Sequence, residues 1–270
     1  KTDWQIVNSW LGTLYPELRD TSNYKTMISY VDPDKLTGFY ERRQQVLDEF
    51  LEVSGQVGAE KEFLHQIERK VEKPFHYEWV EGWSTLLGSM VADLGVVMAL
   101  FLGIVLSSLF AGEWHDNTST LVLTTRNGWG KIALAKILTG LAFTVELFAL
   151  LAVSNVISQL FFMGTAGWDM PIQNIKLIAV APMNMLQAEI YEYAFVLLGA
   201  IGFAGVVMLI SAAVKNNVLT LLLSLAVVYG PMMIAEYLPY KMQKALDLIP
   251  LVGSSTDIFR TNTFSIFGKL

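Results

Sequence analysis

The 270-residue sequence contains no cysteine. That excludes a disulfide framework, a thiolate metal site and a cysteine nucleophile. Charge is scarce too: 16% of residues are Asp, Glu, Lys or Arg, against about 25% in an average soluble domain. What charge there is leans acidic, with a formal net charge of −6 and a pI near 5.1. Attraction to phosphate dominates nucleic-acid affinity, so this composition argues against a nucleic-acid partner. A phosphate-binding loop is also missing. Gly128-Trp129-Gly130-Lys131 has neither the upstream glycine nor the following Ser or Thr that such a loop needs.

Apolar residues are abundant: 53% of the chain is hydrophobic and the mean hydropathy is +0.43. These values define a membrane chain. The charge is unevenly placed, with 15 of the 25 acidic and 10 of the 19 basic side chains in residues 1–83. The chain therefore divides near Trp83. A hydrocarbon core about 30 Å thick needs roughly 20 apolar helical residues, and four runs qualify. They are Leu94 to Ala111, with a start near Trp83; Ile137 to Met163, interrupted by Glu146; Tyr193 to Val214; and Val218 to Ala235. The last two are separated by Lys215-Asn216-Asn217, so they form a helical hairpin. Leu177 to Ala188 is too short to span and contains Pro182, which places it in a loop or at the interface. Gly230-Pro231 predicts a kink in the fourth span.

The fold class read from these patterns is all-α: a polytopic helical membrane protein with a small N-terminal helical extracytoplasmic domain. Residues 1–82 form that domain and 83–270 the bundle, with spans near 85–111, 133–162, 190–214 and 218–236. Residues 237–270 make a C-terminal extracytoplasmic segment. The orientation follows the denser placement of Arg126, Lys131, Lys136 and Lys215 in two short connections, read as cytoplasmic.

Within the polar domain, Leu36, Phe39, Tyr40, Leu47, Phe50 and Leu51 recur at helical spacing between Glu41, Arg42, Arg43, Asp48 and Glu49. A second amphipathic helix carries Val57, Phe63, Leu64, Ile67 and Val71 and ends before Pro74. The pair predicts a helical hairpin able to pack on an opening segment containing Trp4, Ile6, Trp10, Leu11 and Leu14, with its charges solvated. Phe75, Tyr77, Trp79 and Trp83 precede the first span and read as headgroup anchors.

His65, His76 and His115 lie outside the apolar runs, which argues against a haem or a catalytic metal at mid-membrane. Glu113, His115 and Asp116 read as an interfacial polar end, not as a metal cluster. Ionisable residues in or near the bilayer are functional candidates by default, and Asp93, Glu146, Glu189, Glu192 and Glu236 qualify. Asp93, Glu146, Asn155 and Gln159 are the candidate intramembrane polar pathway, with a helix-packing network as the rival reading.

From Phe110 to Lys136 the chain reads FAGEWHDNTSTLVLTTRNGWGKIALAK. Here it resembles the permease subunits of bacterial ABC transporters of the ABC-2 type. The positions that carry the likeness are Phe110, Glu113, Leu121, Leu123, Thr124, Arg126 and Lys136, and the run KPFHYEWVEGW from Lys73 to Trp83 adds to it. The family's glycine-threonine pair after the glutamate is replaced by Asn117-Thr118.

The resemblance implies a multi-pass subunit of the plasma membrane that has no catalytic residue of its own. It pairs with a second permease and docks on a separate ABC ATPase subunit, where ATP and Mg are bound. Residues 113–131 would be the cytoplasmic coupling segment, with Glu113, Leu121, Leu123, Thr124, Arg126 and Lys131 as its working positions. Family permeases have six spans, so the resemblance also implies that the first and last are missing from this chain. The alternative is a non-transporting sensor or antimicrobial-resistance protein that binds a peptide or lipid-like ligand through its outside domain.

Overall fold

The structure is a computed structural model. It describes residues 10, 12–15, 38–56, 58–76, 78, 80–116, 118, 124, 130–235, 237, 238, 242, 246, 249 and 251. All regular secondary structure among these residues is helical. Two compact units are formed, one from residues 1–84, 163–188 and 259–270, the other from 85–162 and 189–258.

In the first unit, helices α1 (Phe39–Val53) and α2 (Ala59–Glu68) form the expected hairpin. Gly55 (φ 72°) and Gly58 (φ 62°) turn the chain between them in the left-handed region that glycine tolerates. The buried face of α1 is Arg43, Leu47 and Leu51, one turn apart at successive four-residue steps. Leu47, Leu51 and Leu64 share their small core with Val180 and Ile178 from the segment joining the second and third long helices.

The expected partner, the opening segment, contributes differently. Leu14 is fully buried, its carbonyl accepts the Arg42 Nε–H at 3.0 Å, and the Trp10 ring lies 5.6 Å from Phe39 and 6.2 Å from Phe75. Trp4, Ile6, Leu11, Leu36 and Val57 lie outside the described residues.

Two of the four residues read as headgroup anchors have partners inside this unit. Phe75 stacks edge-on with Tyr40 and donates its backbone N–H to the Tyr40 hydroxyl at 2.8 Å. Trp83 is 4% exposed, and its indole N–H donates to the Thr165 carbonyl at 3.3 Å. Tyr77 and Trp79 lie outside the described residues.

The second unit contains the long helices. The five-residue helix α3 (Glu81–Thr85), which belongs to the first unit up to Ser84, continues through a π-helical turn, Leu86–Met90, into α4 (Val91–His115). Then follow α5 (Lys131–Met163), α6 (Met185–Val214) and α7 (Asn217–Ala235). All four are long and apolar enough to cross a membrane. α5, with 33 residues, measures about 50 Å at 1.5 Å per residue, so a span of this length must tilt or project beyond the hydrocarbon. α6 starts earlier than its uncharged run indicated, because Met185 to Glu192 extends the helix by two turns despite two glutamates. Pro231 lies inside α7, and Lys215 (φ 58°) makes the tight turn from α6 into α7.

One apolar cluster drawn from all four long helices forms the bundle core. Met98, Ala99, Leu102 and Leu106 meet Val196, Ala200, Phe203, Ala204 and Val207, all within a few per cent of full burial. Small residues set the helix spacing, as expected where packing, not hydrophobic exclusion, drives association. A Cβ on Gly140 of α5 would lie 2.8 Å from the Met208 sulfur and 3.4 Å from Leu106 and Leu109, and one on Gly103 of α4 would meet Leu221 of α7 at 3.1 Å.

Candidate functional site

The sequence singled out the connection between α4 and α5, and the helix ends flanking it form a defined polar cluster. Lys136 Nζ lies 2.6 Å from Glu113 Oε1, donates to the Leu109 carbonyl at 2.6 Å, and sits 4.9 Å from the Phe110 ring centroid. One ammonium therefore neutralises a carboxylate and satisfies a carbonyl in the last turns of α4, where positive charge is favoured by the helix dipole. Both side chains are shielded, at 18% and 26% exposure, which strengthens the pair relative to a fully solvated one.

α6 is tied to the same end of α4 by Ser211. Its hydroxyl donates to the Ser107 carbonyl at 2.7 Å and accepts the backbone N–H groups of Phe110 and Ala111 at 3.1 and 3.0 Å. Lys215, in the α6–α7 turn, places its ammonium 3.8 Å from the Trp114 ring centroid.

The geometry thus brings together Phe110, Glu113 and Lys136, three of the positions that carry the family resemblance. Thr124 and Lys131 are exposed. Leu121, Leu123 and Arg126 lie outside the described residues. The contribution of Ser211 was not legible, because a serine in an apolar run reads as ordinary packing until its partner helix is known.

The intramembrane candidates do not come together as one pathway. Asp93 is exposed near the start of α4, and Glu146 is exposed halfway along α5. Asn155 is half-buried and Gln159 is 6% exposed, with its Nε2 lacking a hydrogen-bond partner among the described residues. The reason is helical geometry. Asn155 and Gln159, four residues apart, share a face, whereas nine residues separate Glu146 from Asn155, about two and a half turns, which points them to opposite sides.

The buried carboxylates are on α6 instead. Glu189 is 3% exposed and Glu192 is 5% exposed, with the Tyr193 hydroxyl as the polar neighbour of Glu189. Glu236 lies outside the described residues.

In the first unit the polar groups are organised around Arg43. Although sequence periodicity assigns Arg43 to the solvated side, it is fully buried. Nη1 pairs with Glu68 at 2.6 Å, Nε donates to the Leu177 carbonyl at 2.8 Å and Nη2 to the Ala179 carbonyl at 3.1 Å. Lys73 adds a second ion pair to Glu68 at 2.9 Å. Burial pushes the Glu68 carboxyl up, but the hydrogen bonds and charges of Lys73 and Arg43 outweigh it and hold the group below its ordinary value.

Comparison of the chain with family models, with curated proteins and with solved structures finds no match in any of the three.

Proposed function

We propose that the chain is the transmembrane permease subunit of an ATP-driven exporter of the ABC-2 type, in a bacterial plasma membrane. On this reading it pairs with a second permease copy or homologue and holds no catalytic residue. Hydrolysis of ATP with Mg takes place on a separate ABC ATPase subunit. The observation that carries the reading is the cluster of Phe110, Glu113 and Lys136, which clamps the two helices flanking residues 113–131. A lever needs stiff attachment at both ends, and force applied to a segment held this way reaches α4 and α5 together. Four helices of membrane-crossing length around a shared apolar core support the same reading.

The test is to replace Leu121 and Leu123 together by Asp in the native complex. Export is expected to fall at least tenfold while the ATPase subunit still hydrolyses ATP and the bundle keeps its thermal stability. Nucleotide-dependent export at the unaltered rate in that variant, or failure of any ATPase subunit to co-purify with the full chain, would sink the proposal.

A further inference from the structure

Glu146 lies at the depth where a bilayer tolerates charge least. Asp93 and Glu113 bracket the apolar part of α4, and the helix between them is about 30 Å long, the thickness of the hydrocarbon core. The Glu113–Lys136 pair sets the start of α5 at the level of the end of α4, and Gly140 lies against Leu106 and Leu109, so α5 runs back along α4. From Lys136 to Glu146 is about 15 Å of helix, which reaches the middle of the core.

The carboxyl faces away from the other helices. The buried residues of α5 are Gly140, Thr144, Ala152 and Gln159, and Glu146 is exposed on the opposite side. It makes no hydrogen bond or ion pair among the described residues. Ionisable groups inside spans almost always face a bundle interior or pair with one another. The exposed side of α5 is therefore the inner side of a larger assembly.

That side also has the shape of a packing surface. Ala135, Thr139, Ala142, Glu146, Ala149 and Val153 are all exposed and follow one another at alternating steps of four and three, the repeat by which two helices meet along a left-handed seam. The alanines and the threonine are small enough to let two backbones approach closely in lipid.

The chemistry of the spans selects the occupant. Lys131 and Lys136 are the only Lys or Arg residues in α4 to α7, and Lys136 is engaged by Glu113. A different face of a second copy thus offers Glu146 no cation at mid-membrane. Hydrocarbon admits a carboxyl as the neutral acid, which has one O–H donor and a free acceptor oxygen. This set is complementary to itself. Two copies inserted in the same orientation hold the residue at one depth, and a parallel contact between their α5 helices puts the two acids face to face.

We propose that α5 is the interface with a second copy of this chain, in which the two Glu146 carboxyls, in the acid form, exchange a reciprocal pair of hydrogen bonds at the membrane midplane. Ala142 and Ala149, one turn to either side, let the backbones close around the pair. The interface gives a face to the pairing in the transport reading but does not rest on it. Its test contains no ATPase subunit, so failure here leaves co-purification of that subunit as the separate test of transport.

The experiment measures the mass of the full chain by light scattering in neutral detergent micelles over a dilution series. A dimer is expected. Glu146→Leu is expected to weaken it about tenfold, whereas Glu146→Gln, whose amide keeps a donor and an acceptor, stays within about twofold. Ala149→Ile places bulk in the seam and is expected to weaken the dimer about tenfold; on a side that faced lipid it would change nothing. Both positions are exposed in the single chain, so the variants keep their helical circular dichroism.

The chain has no cysteine, which permits a second measurement in phosphatidylcholine vesicles. Thr139→Cys, on the seam, is expected to form a disulfide-linked dimer under mild oxidation about tenfold faster than Leu138→Cys, its exposed neighbour about 100° round the helix. A monomeric mass at every concentration, a complex whose added mass belongs to a different protein, a dimer indifferent to Glu146→Leu or Ala149→Ile, failure of Glu146→Gln to hold the dimer, or equal disulfide rates overturns the proposal.

Discussion

The two units bury polar atoms by opposite means. The first seals a guanidinium inside an ion-paired, carbonyl-lined cage, where Arg43 reaches Glu68, Leu177 and Ala179 at once. The second buries apolar seams almost throughout, and its helices approach through absent side chains, as at Gly140, or through one hydroxyl, as at Ser211. The contrast follows from the solvent each composition suits. A unit with 25 charged residues in its first 83 positions can pair what it buries, whereas spans with few ionisable residues depend on close van der Waals fit.

The contrast breaks most easily at Arg43. Arg43→Met leaves Glu68 with Lys73 alone, orphans the Leu177 carbonyl and leaves the Ala179 carbonyl to Gln173. The expected destabilisation of the first unit is about 3–5 kcal/mol, seen as faster proteolysis in residues 163–188 with the bundle helices still protected.

The same cage makes the first unit acid-sensitive. The folded Glu68 group is held below its ordinary value of 4.5, so its contribution is complete above about pH 4.5 and is lost as pH falls through the lower folded value. Hydrogen exchange in α1 and α2 is therefore expected to accelerate below pH 4.5 in the natural chain. In Glu68→Gln that acid limb should flatten, the variant being less stable at pH 7 already.

In the second unit the corresponding test is bulk, not charge. Gly140→Leu pushes into Met208, Leu106 and Leu109 and should cost about 1–3 kcal/mol of bundle stability. Gly205→Ala, where an added Cβ meets nothing within 4 Å, should leave stability unchanged or raise it by up to about 1 kcal/mol. Thermal unfolding in detergent compares the two. The smallest loss belongs to Ser211→Ala, about 0.6 kcal/mol by the usual worth of an interhelical side-chain hydrogen bond in membranes. A much larger loss would mean that the second unit, too, relies on a polar lock.

Much of the second unit was legible in the sequence. Uncharged runs predicted four spans, and α4 to α7 are those helices to within a few residues at most ends. The exception is instructive. α6 begins at Met185 because helix formation follows backbone propensity and capping by Asn184, not hydropathy, so Glu189 and Glu192 ride in on it. The first unit was legible as a hairpin but not as a packing arrangement. Periodicity scores arginine as surface, and nothing local announces that Leu177 and Ala179, more than 130 residues away, supply acceptors for Arg43.

The resemblance singled out Glu113 and Lys136 as positions, and their contact became visible when the two helix ends met. Glu146 lies half a turn away from the face shared by Asn155 and Gln159, an offset that counting residues by turns already contained.

The crowding at Gly140 carries a chemical liability. The Met208 thioether occupies room that a single methyl group would contest, so adding an oxygen atom to that sulfur creates a polar, bulkier sulfoxide with nowhere to go. At 5% exposure the residue is protected while the helices stay together. A brief parting of α5 from its neighbours in the presence of peroxide would let the sulfoxide form and hold them apart. Oxidant damage would thus record the opening of the bundle as a permanent mark, readable by mass as 16 Da on one methionine.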